Sequence, residues 1–198
     1  EGQEYPVANR DELGKQMPMI KKSFTSYKDF AGKTVTDVFN TESLSRGLKY
    51  EANEFSSVVL INEGNMKFTI RELPPMAQIS PVYAIKSFDV NQDGLQDLIL
   101  GGNNSWANTY FGSSDASYGQ VLINSGEGEF EMMSASESGF KIRGDVRDIE
   151  HLAVDGMDYF VFGINDQPME VYVYNQKEPL LPWPFDLPAA DSNLHSLF

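Results

Sequence analysis

Apolar residues follow two different periods along this chain. Near the start, Leu13, Met17, Ile20, Phe24, Tyr27 and Ala31 recur at steps of three and four, the spacing that lines one face of a helix. Pro18 suits a helix start and marks a break there. Gly32 suits a stop, and Thr36-Asp37 begins a second short helix carrying Val38 and Phe39. This pattern predicts an amphipathic helical segment over residues 1–40. Its apolar face would dock on a sheet of the same chain or on another protein.

From Tyr50 onward the pattern is that of strands. Val58-Val59-Leu60-Ile61-Asn62-Glu63-Gly64-Asn65-Met66-Lys67-Phe68 matches Gln120-Val121-Leu122-Ile123-Asn124-Ser125-Gly126-Glu127-Gly128-Glu129-Phe130. Each reads as strand, Asn-x-Gly turn, strand, a hairpin signature. A worn third copy follows. Tyr159 to Asp166 matches Asp97 to Asn104, and Met169 to Asn175 matches the Gln120 strand. The period is roughly 50–60 residues, about one four-stranded propeller blade with insertions.

The predicted fold is therefore mainly β: a partial β-propeller of about two to three four-stranded blades over residues 41–178, after the helical segment. The first blade, to about Leu73, shows only its outer hairpin, and the second runs from about Ser80 to Ser136. The third runs from about Val146 to Asn175. Propellers usually need four to eight blades to close. The remaining blades would come from a larger propeller, or the open edges would be covered by a partner or by the N-terminal helix, since bare edges invite aggregation. Residues 179–198 read as a Pro-rich tail. Pro179, Pro182, Pro184 and Pro188 oppose regular structure in its first half, while Trp183, Phe185 and Phe198 could pin it to a surface.

Charge changes the picture. The chain of 198 residues carries 29 acidic and 15 basic side chains, a net −14. A phosphate-binding surface should be basic, so no nucleic-acid partner is expected. There is no cysteine, which removes disulfides and thiolate metal sites. No apolar run is long enough to span a membrane as a helix. Glu1 in first place points to a start inside a longer polypeptide, with any targeting segment or lipid anchor outside this sequence.

Three of the acidic residues recur in one motif, Asp89-Val90-Asn91-Gln92-Asp93-Gly94-Leu95-Gln96-Asp97. Asp89, Asn91, Asp93 and Asp97 offer side-chain oxygens, Leu95 offers its carbonyl, and Gly94 permits a sharp turn. A hard cation such as Ca²⁺ takes six to eight oxygen ligands at about 2.3–2.6 Å, most of which one such loop can supply. Three carboxylates this close repel one another without a cation. The alternative is a solvated acidic turn. An EF-hand needs an acidic residue at loop position twelve and a helix beyond. Here that position is Leu100, and Leu98-Ile99-Leu100-Gly101-Gly102 reads as a buried strand. In the third repeat, Val154-Asp155-Gly156-Met157-Asp158 lacks the oxygen spacing, so no metal is expected there.

Followed by Leu98 to Asn103, this loop resembles the FG-GAP/VCBS repeat, the calcium-loop blade also found in integrin alpha-chain propellers. Asp11 to Phe24, Ala77 to Ala84 and Asp115 to Gly119 are similar to the C-terminal part of ASPIC/UnbV-type VCBS-repeat proteins of Bacteroidota. The resemblance covers about residues 10–175. It implies calcium ligands at Asp89, Asn91, Asp93, Leu95 and Asp97, and a secreted or lipid-anchored location on the cell surface. It also implies a non-catalytic binding or scaffold role, with protein partners in an outer-membrane nutrient-uptake assembly and a glycan or peptide ligand.

Catalytic constellations are sparse. There is no Gly-x-Ser-x-Gly elbow, and the two histidines are His151, in a predicted strand, and His195, in the tail. Paired carboxylates for glycoside hydrolysis keep a carbohydrate-active module as the alternative function. Asp115 and Tyr118 are its best candidate site. Trp106, Tyr110 and Phe111 lie in a long insertion, where aromatics either stack on a ligand or close the blade core. Arg143, Arg147 and Asp148 read as a polar face or an ion pair.

Overall fold

A computed structural model describes residues 2–107, 112–175 and 178–182. The chain divides into two compact units, Glu1–Asn53 and Glu54–Phe198.

The first unit holds five short helices: α1 (Arg10–Gln16), α2 (Met19–Ser23), α3 (Tyr27–Phe30), α4 (Val35–Val38) and α5 (Thr41–Arg46). The single helical face expected from the 3–4 spacing is broken. Pro18 stands between α1 and α2, and the Ser26 hydroxyl caps α3 by accepting from the Asp29 N–H at 3.2 Å. The Asp29 carboxylate in turn accepts from the Ser26 N–H, and Thr34 and Asp37 repeat the device on α4. These capping boxes satisfy backbone donors locally and restart the helix at a new angle. Of the six periodic residues only Ile20 is buried; Met17 and Tyr27 are exposed. The helical segment also runs past residue 40, since α5 follows Asn40.

The second unit is mainly β, in three antiparallel sheets. β1 (Val58–Gly64) and β2 (Lys67–Glu72) form a hairpin. A 3₁₀ turn at Pro75–Gln78 leads to β3 (Val82–Phe88), β4 (Asp97–Gly102), β5 (Gln120–Gly126) and β6 (Glu129–Met132), which pair in chain order. A short helix α6 (Ala135–Ser138) precedes β7 (Val146–Val154), β8 (Met157–Ile164), β9 (Glu170–Asn175) and β10 (Glu178–Pro182), again paired in order. Among the described residues the three sheets do not close on themselves.

Alternation decides the packing. On β8, Phe160, Phe162 and Ile164 are buried at every second position, the period of a pleated strand. They meet Ala84, Ile99 and Val121 of the other four-stranded sheet, with Phe140 and Ile142 closing the core between them. β4 is central and buried on both faces, which is why it reads as an unbroken apolar run. Ile99 faces that core. Leu100 and Leu98 face a second cluster with Leu122, Leu73 and Ala77, to which the hairpin adds Val59.

One feature departs from the sequence reading. The start of the Pro-rich tail is regular: Glu178–Pro182 forms edge strand β10, with Leu181 opposite Val173. Proline is tolerated at a sheet edge, where a missing N–H costs no ladder bond. Residues 183–198, with Trp183, Phe185 and His195, lie outside the described residues. The turn between β7 and β8 is only Asp155-Gly156, with φ of 52° and 77°. Two positive φ angles make the primed hairpin turn that suits the strand twist. No helix among the described residues is long and apolar enough to cross a membrane.

Candidate metal centre

The loop Asp89–Asp97 joins β3 to β4. It packs its own polar groups tightly. Asp89 accepts from the N–H groups of Asp93 (3.1 Å) and Gly94 (2.9 Å) through its two oxygens. Asn91 Oδ1 accepts from Asp93 N–H at 3.1 Å, and its Nδ2 donates to Asp93 at 2.8 Å. Asp93 also accepts from Leu95 N–H at 2.7 Å. Gly94, at φ 89°, adopts the left-handed region that side chains disfavour.

Asp97 differs from the rest. Asn91, Asp93 and Leu95 are exposed, whereas Asp97 is wholly buried. One of its oxygens accepts from Val90 N–H at 2.7 Å and the other from Asn124 N–H at 2.8 Å. One carboxylate thus ties both the loop and β5 to the start of β4. Among the described residues no lysine or arginine pairs with Asp89, Asp93 or Asp97. Tyr174 donates to the Val90 carbonyl at 2.6 Å. Burial first, and then the negative fields of Asp89, Asp158 and Asp97, push its phenol above its ordinary pKa.

The donors are all hard oxygens without a cationic partner, which fits calcium in kind. Among the described residues, however, no three Asp, Glu or His groups stand together as a metal cage. The carboxylates are turned onto backbone N–H groups of the loop and, for Asp97, also of Asn124 on β5.

The second group of candidates lies at the other end of β4. A six-residue strand separates Asp97 from Gly102, about 17 Å at roughly 3.3 Å per residue. The acidic loop and the aromatic insertion are therefore two places, not one. Trp106 is 80% exposed, so it does not close the core. Asp115 is exposed, and Tyr118 lies under the Arg143 guanidinium at 5.9 Å. Tyr110 and Phe111 fall outside the described residues. Trp106→Ala is expected to change unfolding free energy by less than about 0.5 kcal/mol, as exposed positions do; chemical denaturation checks this.

A buried polar network anchors the insertion. Asn103 (2% exposed) accepts from Ser117 N–H at 3.0 Å and donates to the carbonyls of Ser117 (2.7 Å) and Gly144 (3.0 Å). Asp145 accepts from both the N–H and the hydroxyl of Ser105, and pairs with Arg147 at 3.2 Å. Arg147 also donates to the Asn103 carbonyl and lies 4.2 Å over the Tyr83 ring. Arg143, Arg147 and Asp148 are all exposed, as a polar face would have them, and among the described residues no ion pair joins them: Arg147 pairs with Asp145, and Asp148 accepts from the N–H of Ile149. His151 packs against both Phe88 and Phe160, with Nε2 2.7 Å from Asp158.

No protein-family model, curated protein or solved structure matches this chain. The likeness to the FG-GAP/VCBS pattern stands on the residues quoted for it.

Proposed function

We propose that this chain is a calcium-binding β-propeller segment of a bacterial cell-surface protein. It acts as a non-catalytic binding or scaffold module, in keeping with an outer-membrane nutrient-uptake assembly. The observation that carries the reading is the loop Asp89–Asp97, which joins the first two strands of a four-stranded antiparallel sheet through a buried Asp97. It carries three carboxylates within nine residues, none of them with a basic partner among the described residues. Asp89, Asn91, Asp93 and Asp97 would hold the ion through side chains and Leu95 through its carbonyl. The bound ion would offset the loop's negative charge and stiffen the turn. Asp93 would have to turn from the Leu95 N–H to take part.

Thermal unfolding in excess calcium and in chelator tests this, on the unaltered chain and on Asp93→Ala. A ligand specific to the folded state stabilises it by about 2.7 kcal/mol at a hundredfold excess over Kd. The expected result is a calcium-dependent rise that Asp93→Ala removes. Equal melting in calcium and chelator would reduce the loop to a solvated acidic turn.

The exposed Trp106 ring favours a second reading, a carbohydrate-active module, because exposed aromatics stack on sugar rings. A glycan array with the unaltered chain and Trp106→Ala separates the two: Trp106-dependent glycan binding, or turnover of a bound glycan, would favour the second.

A further inference from the structure

The hairpin β1–β2 has the same internal geometry as β5–β6. In β5–β6, Leu122, Ile123 and Asn124 stand opposite Met132, Glu131 and Phe130, and the register shifts between Asn124 and Gly126. In β1–β2, Leu60, Ile61 and Asn62 stand opposite Ile70, Thr69 and Phe68, with the shift between Asn62 and Gly64. The turns agree bond for bond. Gly64 N–H donates to Asn62 Oδ1 at 2.9 Å, and Gly126 N–H to Asn124 Oδ1 at 2.9 Å. The φ angles at Gly64, Asn65 and Met66 are 82°, 50° and 58°; those at Gly126, Glu127 and Gly128 are 90°, 52° and 77°.

The surroundings differ. β5 carries β4 on its other edge, with Leu98, Ile99 and Leu100 opposite Leu122, Val121 and Gln120. β1 belongs to a two-stranded sheet and, among the described residues, pairs only with β2. Leu122 is fully buried, and Phe130 and Met132 pack in the same cluster. Their counterparts Leu60, Phe68 and Ile70 are 57, 53 and 54% exposed. Yet the hairpin's other face is engaged: Val59 joins the second cluster, and Ile61 lies so close over Gly128 that a Cβ there would clash.

We infer that β1 is the acceptor edge for a pair of antiparallel strands supplied by a partner polypeptide. The chemistry of that partner is read from what β4 does to β5. Its pairing strand places three apolar residues opposite Leu60, Val59 and Val58. A carboxylate at the start of that strand faces the Asn62 N–H, as Asp97 faces Asn124 N–H. A loop carbonyl beside it takes the Asn62 amide, as Gln96 takes Asn124 Nδ2 at 3.1 Å. The interface is already realised once in this chain, between β4 and β5. The ten strands of the described residues are all placed in the three sheets, and the helical first unit contributes none. Main-chain bonds would give such strand addition its affinity, and the apolar triplet its register.

The inference rests on the sheet-repeat part of the proposed function and not on its calcium. The probe is the peptide Val82–Gly102 of this chain, which performs this task on β5. It is added to the full chain, and amide hydrogen exchange is read at Val58–Asn62. Because a free peptide can fail to form strands, a second arm inserts a copy of Val82–Gly119 directly ahead of Val58. The expected result is slowing on the order of tenfold or more at Val58–Asn62 in at least one arm. Unchanged exchange there in both arms, while β7–β9 amides stay protected, overturns the inference. Slowing at β1 that grows with the unaltered chain's own concentration also overturns it, in favour of a second copy. Protection that persists in chelator, with no calcium effect on melting, would sink the metal reading and leave this one standing.

Discussion

Asp97→Ala is expected to lower the unfolding free energy of the second unit by roughly 3–5 kcal/mol, because two partly buried N–H groups lose the carboxylate that accepts from them, at a cost of about 1–3 kcal/mol each, and a charge-assisted bond is the stronger kind. The Val90 and Asn124 donors lie 2.7 and 2.8 Å from the two oxygens of one wholly buried carboxylate. Alanine reaches neither. Asp97→Asn keeps one acceptor oxygen and turns an NH₂ toward the other donor, so its cost should be similar or only slightly smaller. Urea denaturation of the three proteins measures this, and the melting temperature should fall by about 10 °C. The loss should persist in chelator, since these bonds do not involve an ion. A loss under about 1 kcal/mol would mean that water reaches the two amides. A loss confined to calcium buffers would assign Asp97 to the metal alone.

The second large effect is at Asn103. Asn103→Ala removes one accepted and two donated hydrogen bonds from a side chain 2% exposed. It also leaves alanine at φ 81°, where asparagine and glycine are the tolerated residues. The expected cost is roughly 3–4 kcal/mol. Asn103→Gly separates the causes: it relieves the backbone but, like alanine, makes none of the three bonds, so it should fall between the alanine variant and the unaltered chain. Limited proteolysis supplies the local readout. The insertion is held at its root by Asn103 and by the paired Asn104 and Ser114, so cleavage between them should quicken in both variants. Equal proteolysis in all three would show that the Asp145–Ser105 bonds hold the insertion alone.

Both predictions fall on residues whose importance was only partly legible. Asp97 was visible as the last oxygen donor of the acidic loop, but its role as the buried tie between β4 and β5 was not, because the Asn124 N–H comes from a distant strand. Asn103 stood in the sequence as one polar residue after two glycines. Those glycines have reasons that strand patterning does not reveal: a Cβ on Gly101 would meet Val146 at 2.5 Å, and one on Gly102 would strike the Pro81 carbonyl. Gln78 is similar. It reads as a loop residue, and it staples the hairpin by accepting from Ser57 N–H and donating to the carbonyls of Ser57 and Leu73. The helical segment went the other way. Its 3–4 spacing pointed to one face, yet the Ser26–Asp29 and Thr34–Asp37 pairs were in plain sight as helix starts and cut that face apart.

By itself the sequence determined what neighbours along the chain decide. Period-two alternation set the strands, Asn-x-Gly and Asp-Gly set their turns, and the nonapeptide set a row of oxygen donors between β3 and β4. These are local because strand pleat and turn φ angles depend on a few adjacent residues. Only the tertiary structure decided which carboxylate is buried, that the acidic loop and Trp106 lie at opposite ends of one strand, and that β1, beside an exposed apolar face, pairs with β2 alone among the described residues. Burial and pairing are contacts between residues far apart in sequence, and no pattern in one segment records what another segment will cover.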